Sequence, residues 1–155
     1  MPIPDFVVEL RKQVGNAELW MPAVTAVVRR DDEILLVRRA DNGRWAPITG
    51  ILDPGEEPAV SAWRETLEET GVEVSVDRLA AISSGHRVTH VNGDLAVYLD
   101  HTFACTYVGG EAHVADDESV DVGWWPIRGL PHLSPTLLER VRAALADEER
   151  TRFVG

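Results

Sequence analysis

One segment, Gly50 to Val72 (GILDPGEEPAVSAWRETLEETGV), constrains this chain more than any other. Pro58 stands where a helix accepts proline, in its first turn, and Gly71 stands where a helix ends in a left-handed residue. The spacing therefore predicts a helix from Glu57 to Thr70. At ~100° per residue, Ala59, Val60, Trp63, Thr66 and Leu67 gather on one side, and Glu65, Glu68 and Glu69 on nearly the opposite side. The apolar side is expected to pack on a sheet, leaving the three carboxylates facing outward together. For stability that acidic face is badly placed. The last turns carry the negative end of the helix dipole, which disfavours each carboxylate by roughly 0.3–1 kcal/mol. Glu65 and Glu69 also form a like-charged i,i+4 pair, costing about a few tenths of a kcal/mol more. Clustered carboxylate oxygens are what a hard divalent cation prefers, so the spacing points to a Mg²⁺ or Mn²⁺ site without saying what the metal would do.

The flanking sequence supplies a frame for this helix. Val24 to Val28 and Ile34 to Val37 read as strands joined at Asp31-Asp32-Glu33. Val72 to Val76, Arg87 to Val91, Leu95 to Tyr107 and Val120 to Trp125 read as further strands, with a turn at Asn92-Gly93-Asp94. Pro135 to Leu145 returns to helical spacing behind Ser134, a good N-cap. The expected fold class is α/β, a mixed β-sheet sandwiched between α-helices. The 155 residues suit one domain, divided here into an N-terminal helical extension (1–20), the main domain (21–149) and a short tail (150–155). In the extension, Phe6, Val7, Leu10 and Val14 form an apolar stripe that must cover something. A second copy of the chain is the expectation, giving a homodimer; packing on its own domain is the alternative.

Charge and cysteine content narrow the function. A formal net charge of -11 argues against a long nucleic acid as partner, because polyanion binding needs a basic stripe. A small anionic substrate remains compatible if a metal ion bridges it to the protein. Cys105 is the single cysteine and lies in the apolar run Phe103-Ala104-Cys105, where it reads as a small buried hydrophobe. No stretch is apolar enough to span a membrane, and no leader pattern opens the chain, so a cytoplasmic location is expected.

Gly50, Glu56, Arg64, Glu65, Glu68, Glu69, Gly71 and Val72 occupy every fixed position of the Nudix box, with no gap or insertion. The chain thus resembles the MutT-like Nudix hydrolases, and the likeness extends over most of Val24 to Leu145. Two positions depart from the usual pattern: Thr66, where an aliphatic residue is common, and Thr49, where many members have glycine. The resemblance implies a Nudix fold and metal-dependent hydrolysis of a diphosphate linkage in a nucleoside diphosphate derivative, such as a nucleoside triphosphate, a nucleotide sugar or ADP-ribose. It also implies roles, residue by residue. Glu65 and Glu69 would be metal ligands, Glu68 a ligand or the group that orients the attacking water, and the Gly50 carbonyl a further ligand. Glu56 and Arg64 would form an ion pair that fixes the loop against the helix. Mg²⁺ is the expected cofactor, with Mn²⁺ able to substitute.

Outside the box the candidates are weaker. Glu118, in Asp116-Asp117-Glu118, reads either as a catalytic base on a late loop or as part of a charged turn; Glu68 is placed slightly ahead of it as base. Arg38, Arg39 and Arg44 are candidates to hold phosphate groups, with plain surface charge as the alternative. Trp45, Trp124 and Trp125 are candidates for stacking on a base, although core packing is the commoner role of such residues. The competing functional class is a catalytically inactive Nudix-like module that senses a ligand or binds a partner. Against it stands the intact carboxylate set.

Overall fold

The computed structural model describes residues 3–155. Helix α1 (Asp5–Val14) leads into β1 (Leu19–Arg30) and β2 (Glu33–Arg39), a hairpin whose turn places Asp31 at φ 52. Two short strands, β3 (Trp45–Ala46) and β4 (Ile48–Ile51), precede α2 (Pro58–Thr70). Then come β5 (Glu73–Ser84), β6 (Val88–Thr89), β7 (Leu95–Gly109), β8 (Ser119–Pro126) and α3 (Pro135–Leu145). Strand β1 runs parallel to β7 and every other ladder is antiparallel, so the sheet is mixed.

Strands β1 and β2 pair only at the hairpin end, Arg29 with Ile34 and Arg30 with Glu33. Beyond that point they splay. Strand β3 fills the gap on the β2 side and β4 on the β1 side, with Pro47 at the crossing. A proline cannot donate to a ladder, which suits it to the residue where the chain leaves one strand for another. This splay creates the cleft described below. Sequence patterning missed β3 and β4 because both are too short to show a period. It also overextended β6, which is confined to Val88–Thr89.

Both faces of β1 are covered, which is why Val24 to Val28 shows no alternation of polar and apolar residues. Val24, Ala26 and Val28 face the α2 side, packing with Leu52, Ala62 and Val72. Val27 faces the α3 side with Ile34, Leu36 and Val141. Helix α2 does not pack as the apolar count suggested. Its buried residues are Ser61, Ala62, Glu65, Thr66, Glu69 and Thr70, whereas Val60 and Trp63 are 52% and 42% exposed. The physical reason is proximity: small side chains let the helix lie close to the sheet. The hydroxyls of Thr66 and Thr70 are satisfied by the carbonyls of Ala62 (2.7 Å) and Thr66 (2.6 Å), so they can be buried. Two of the three carboxylates are therefore turned inward rather than toward solvent.

The apolar stripe of α1 is covered within the chain only in part: Leu10 and Val14 stay 37% and 41% exposed. Val7 is buried against Met21, Ile51 and Ala96, with Phe6 packed beside it, so the helix docks on its own domain through this end of the stripe. Arg11 fastens the helix end by donating to the carbonyls of Gly15 (3.1 Å) and Leu95 (2.8 Å). The C-terminal tail is tied down as well: Arg152 N donates to Ala80 O (2.8 Å) and Ile82 N to Arg152 O (3.0 Å). Among the described residues, no helix is long and apolar enough to cross a membrane.

Candidate active site

The splay between β1 and β2 opens a cleft of about 1030 Å³. Gly50 and Glu69 line it on the α2 side, Arg39 and Glu118 at the end of β2, and Arg140 on α3. The sequence places α2 at this wall through its contact with β4. A Cβ on Gly50 would collide with the carboxyl group of Glu65, so only glycine lets that side chain fold against the strand. At its other end, Gly71 adopts φ 69 and its N–H caps Leu67 O at 2.9 Å, stopping the helix one residue after the buried Thr70.

Arg64 organises the acidic side chains. Its Nε and Nη2 donate to the two oxygens of Glu56 at 2.7 and 2.9 Å, and Glu56 Oε2 also accepts from Asp53 N at 3.1 Å. The loop before α2 is thereby pinned to the helix. The Arg64 guanidinium holds the Glu56 carboxyl below its ordinary range, and Glu56 in turn raises the pKa of Arg64. The remaining nitrogen, Nη1, bridges Glu65 (3.0 Å) and Glu68 (3.0 Å).

Glu65 and Glu69 are 7% and 4% exposed. Burial pushes the Glu65 carboxyl up to about 7 despite Arg64. Burial, reinforced by the negative charges of Glu118 and Glu65, pushes Glu69 up to about 9. Glu118 is also raised, first by burial and then by Asp116. Its backbone is fixed: Glu118 N donates to Asp116 Oδ1 (3.0 Å) and Glu118 O accepts from Ala40 N (2.8 Å). Glu118 thus lies on the cleft, while Glu68 is exposed, bound to Arg64, and absent from the cleft lining. Among the described residues no three acidic, His or Cys side chains already converge as a metal cage. The groups that do meet at this wall are carboxyl and carbonyl oxygens, a donor set that matches a hard divalent cation.

Of the three arginine candidates, only Arg39 reaches the cleft, where it makes a two-pronged contact with Asp41 (2.9 and 2.7 Å). Arg38, its neighbour on the strand, does not line the cleft, because successive strand residues point to opposite faces. Arg44 is exposed outside it. The tryptophans also lie elsewhere. Trp45 packs edge-on against Trp125 (5.1 Å between ring centroids) beside α3, and Trp124 packs edge-on against Tyr107 (5.5 Å) with Arg30 over its ring. Tyr98 is the aromatic residue, histidines aside, that the described cleft lining contains. Sequence reasoning passed over Asp100 and Arg140, which line the cleft from β7 and α3. A carboxylate in the middle of the strand expected from Leu95 to Tyr107 was the available signal.

A mixed sheet between helices, with a Glu-rich helix laid on a glycine of the adjoining strand and a second acidic loop across a cleft, defines an α/β protein with carboxyl groups on two sides of one cleft. The NUDIX domain profile matches residues 19–146, and the chain belongs to that family. It is 37% identical over 98 residues to a MutT-like protein of Streptomyces ambofaciens, covering 63% of this chain and 58% of that one. It is 34% identical over 114 residues to the NAD-capped RNA hydrolase NudC of Chromobacterium violaceum, covering 72% and 40%. The chain therefore spans about half the length of these curated relatives. A NUDIX hydrolase from Nitrosomonas europaea superimposes with a TM-score of 0.64 at 25% identity, covering 86% of this chain and 93% of that one.

Proposed function

We propose that this protein hydrolyses the diphosphate linkage of a nucleoside diphosphate derivative (a nucleoside triphosphate, a nucleotide sugar or ADP-ribose) with the help of Mg²⁺, for which Mn²⁺ can substitute. The observation that carries this reading is the buried pair Glu65 and Glu69, with Glu69 lining the cleft and the Glu65 carboxyl folded against Gly50 beside it. Burying two carboxylates beside each other is costly unless a cation joins them. Glu65, Glu69 and the Gly50 carbonyl would hold the metal, with Glu68 within reach on the next turn after release from Arg64. When bound, the metal neutralises the diphosphate oxygens and lowers the pKa of a coordinated water. Glu56 and Arg64 act structurally, setting the loop and the helix at a fixed distance. Of Arg38, Arg39 and Arg44, Arg39 is the one that would meet a phosphate oxygen, because it alone lines the cleft.

For the base, the cleft favours Glu118 over Glu68. A base must reach the water that it deprotonates, and Glu118 lines the cleft where Glu68 does not. Burial raises the Glu118 pKa toward the range where a carboxylate accepts a proton readily. The substrate is a small nucleotide-type molecule; the net charge of -11 disfavours a long nucleic acid.

The test is a substrate panel of nucleoside triphosphates, nucleotide sugars, ADP-ribose and NAD, assayed with Mg²⁺, with Mn²⁺ and in excess chelator, resolving phosphate, pyrophosphate and monophosphate products. Turnover with metal and none in chelator is expected. Full activity in chelator, with metal content measured as nil, would remove the metal from the mechanism. Binding without turnover across the panel would favour the ligand-sensing alternative.

A further inference from the structure

The diphosphate-facing wall occupies one side of the cleft, and the cleft continues to the opposite face of the sheet, where β7 and α3 meet. There Asp100 is 1% exposed, in a sheet interior where a carboxylate needs compensation. Its compensation is complete. Thr25 Oγ1 donates to Oδ1 at 2.7 Å, Thr102 Oγ1 to Oδ2 at 2.6 Å, and Arg140 Nη1 lies 3.1 Å from Oδ1. Arg140 is not satisfied to the same degree. An arginine carries five N–H donors. Nη1 donates to Thr25 Oγ1 (3.1 Å) and forms the ion pair with Asp100, Nε is buried without a partner, and Nη2 makes no hydrogen bond among the described residues. A buried donor left unmade is destabilising. Here it belongs to a guanidinium that lines the cleft and is held in place by a buried carboxylate.

We infer that Arg140 is a specificity-determining residue that donates a hydrogen bond to a neutral oxygen, a carbonyl or a hydroxyl, on the part of the substrate beyond the diphosphate. The inference rests on reading this cleft as the hydrolytic site. Neutrality follows from Asp100. The pair as a whole has no net charge, and a phosphate drawn to the guanidinium would also approach the adjacent carboxylate. A neutral acceptor gains the open Nη2 donors without that repulsion. The cleft volume of about 1030 Å³ leaves room for such a group in addition to a diphosphate. Two sources offer this chemistry, a base carbonyl or a sugar hydroxyl.

The discriminating variant is Arg140→Lys. Lysine keeps a cation opposite Asp100 but cannot present the guanidinium fork, so stability should change little while recognition is lost. Kinetics on UDP-glucose, GDP-mannose and ADP-glucose should show KM raised by roughly 10–100-fold, with kcat altered by less than about threefold, because the contact is remote from the reacting phosphorus. Loss on the uridine and guanosine substrates alone identifies a base carbonyl, which adenine lacks; equal loss on all three identifies a sugar hydroxyl. Calorimetric titration of UMP, GMP and AMP into wild type and Arg140→Lys provides a readout that needs no turnover. If wild type cleaves none of the substrates but binds the monophosphates more tightly than the variant, the hydrolase reading fails and the assignment of Arg140 stands. Unchanged KM on all three substrates, or, where none is cleaved, equal or no binding of the monophosphates by the two proteins, overturns the assignment. Should Arg140→Lys fail to fold, Arg140→Met/Asp100→Asn removes both charges; the amide oxygen accepts from one threonine hydroxyl and the amide nitrogen donates to the other. The same loss of affinity is expected of it.

Discussion

Glu69→Gln should stabilise the metal-free protein, by an amount that grows with pH. Glu69 is buried beside Glu65 and Glu118, and its carboxyl is pushed from an ordinary 4.5 up to about 9. Between these values the folded state holds a proton that the unfolded chain has released. Stability therefore falls as pH rises through that window. At pH 8 the difference of 3.5 units from 4.5, at ~1.36 kcal/mol each, sets a penalty on the order of 5 kcal/mol; at pH 5 it is below about 1 kcal/mol. Glutamine cannot ionise and removes this penalty, at a cost of about 1 kcal/mol for an imperfectly bonded amide. For a chain of this size each kcal/mol moves Tm by ~2–4 °C. The variant should accordingly melt on the order of 10 °C higher than wild type at pH 8 and at nearly the same temperature at pH 5, both in chelator. Saturating Mg²⁺ should narrow the gap at pH 8, because a bound cation removes the repulsion in wild type alone. The measurement is thermal unfolding by circular dichroism at pH 5, 6.5 and 8. A Tm difference independent of pH, or a variant less stable at pH 8, would refute the account of Glu69 as a strained buried carboxylate.

Other outcomes are expected from the same geometry. Glu56→Gln should lower stability at pH 7 by about 1–2 kcal/mol, read as a Tm drop of roughly 3–6 °C. It breaks the two-pronged contact with Arg64. Because the Glu56 pKa is depressed, that contribution should be present above its ordinary 4.5 and vanish as pH falls below it; an unchanged Tm with lost activity would point to a direct catalytic role for Glu56. Glu118→Gln should reduce kcat by roughly 10²–10⁴-fold at saturating metal and substrate, with Glu68→Gln mainly weakening metal affinity; the reverse pattern would return the base to Glu68. Cys105 is buried and its thiol is pushed up to about 12, so it should resist a disulfide-exchange reagent at pH 8 until denaturant is added. Rapid native labelling would contradict this burial.

The chemistry of α2 was legible because it is local. The spacing from Gly50 to Val72 fixes a helix start, a helix stop and the angular positions of Glu65, Glu68 and Glu69, and all of these depend on residues a few places apart. The burial of Cys105 and the core role of Trp45, Trp124 and Trp125 could be anticipated from residue type. The sequence could not say which way the helix would be rolled. Apolar count favoured the face with Val60 and Trp63, but close approach to the sheet selected the face with Ser61, Ala62, Thr66 and Thr70, and that choice turned Glu65 and Glu69 inward. Nor could spacing choose among Arg38, Arg39 and Arg44. Strand parity and the position of the cleft put Arg39 alone against it.

The packing of Val7 on Met21, Ile51 and Ala96, and the meeting of Asp100 with Arg140, join segments far apart in the chain. Periodicity carries no information about such pairs, since they exist only after the strands have taken their order. By itself, then, the sequence determined a carboxylate-bearing helix and the α/β frame around it. The tertiary structure decided which carboxylates are desolvated, which arginines have donors left for a ligand, and where Glu118 stands. Desolvation and convergence belong to the packed surfaces of several elements at once, and no single element encodes them.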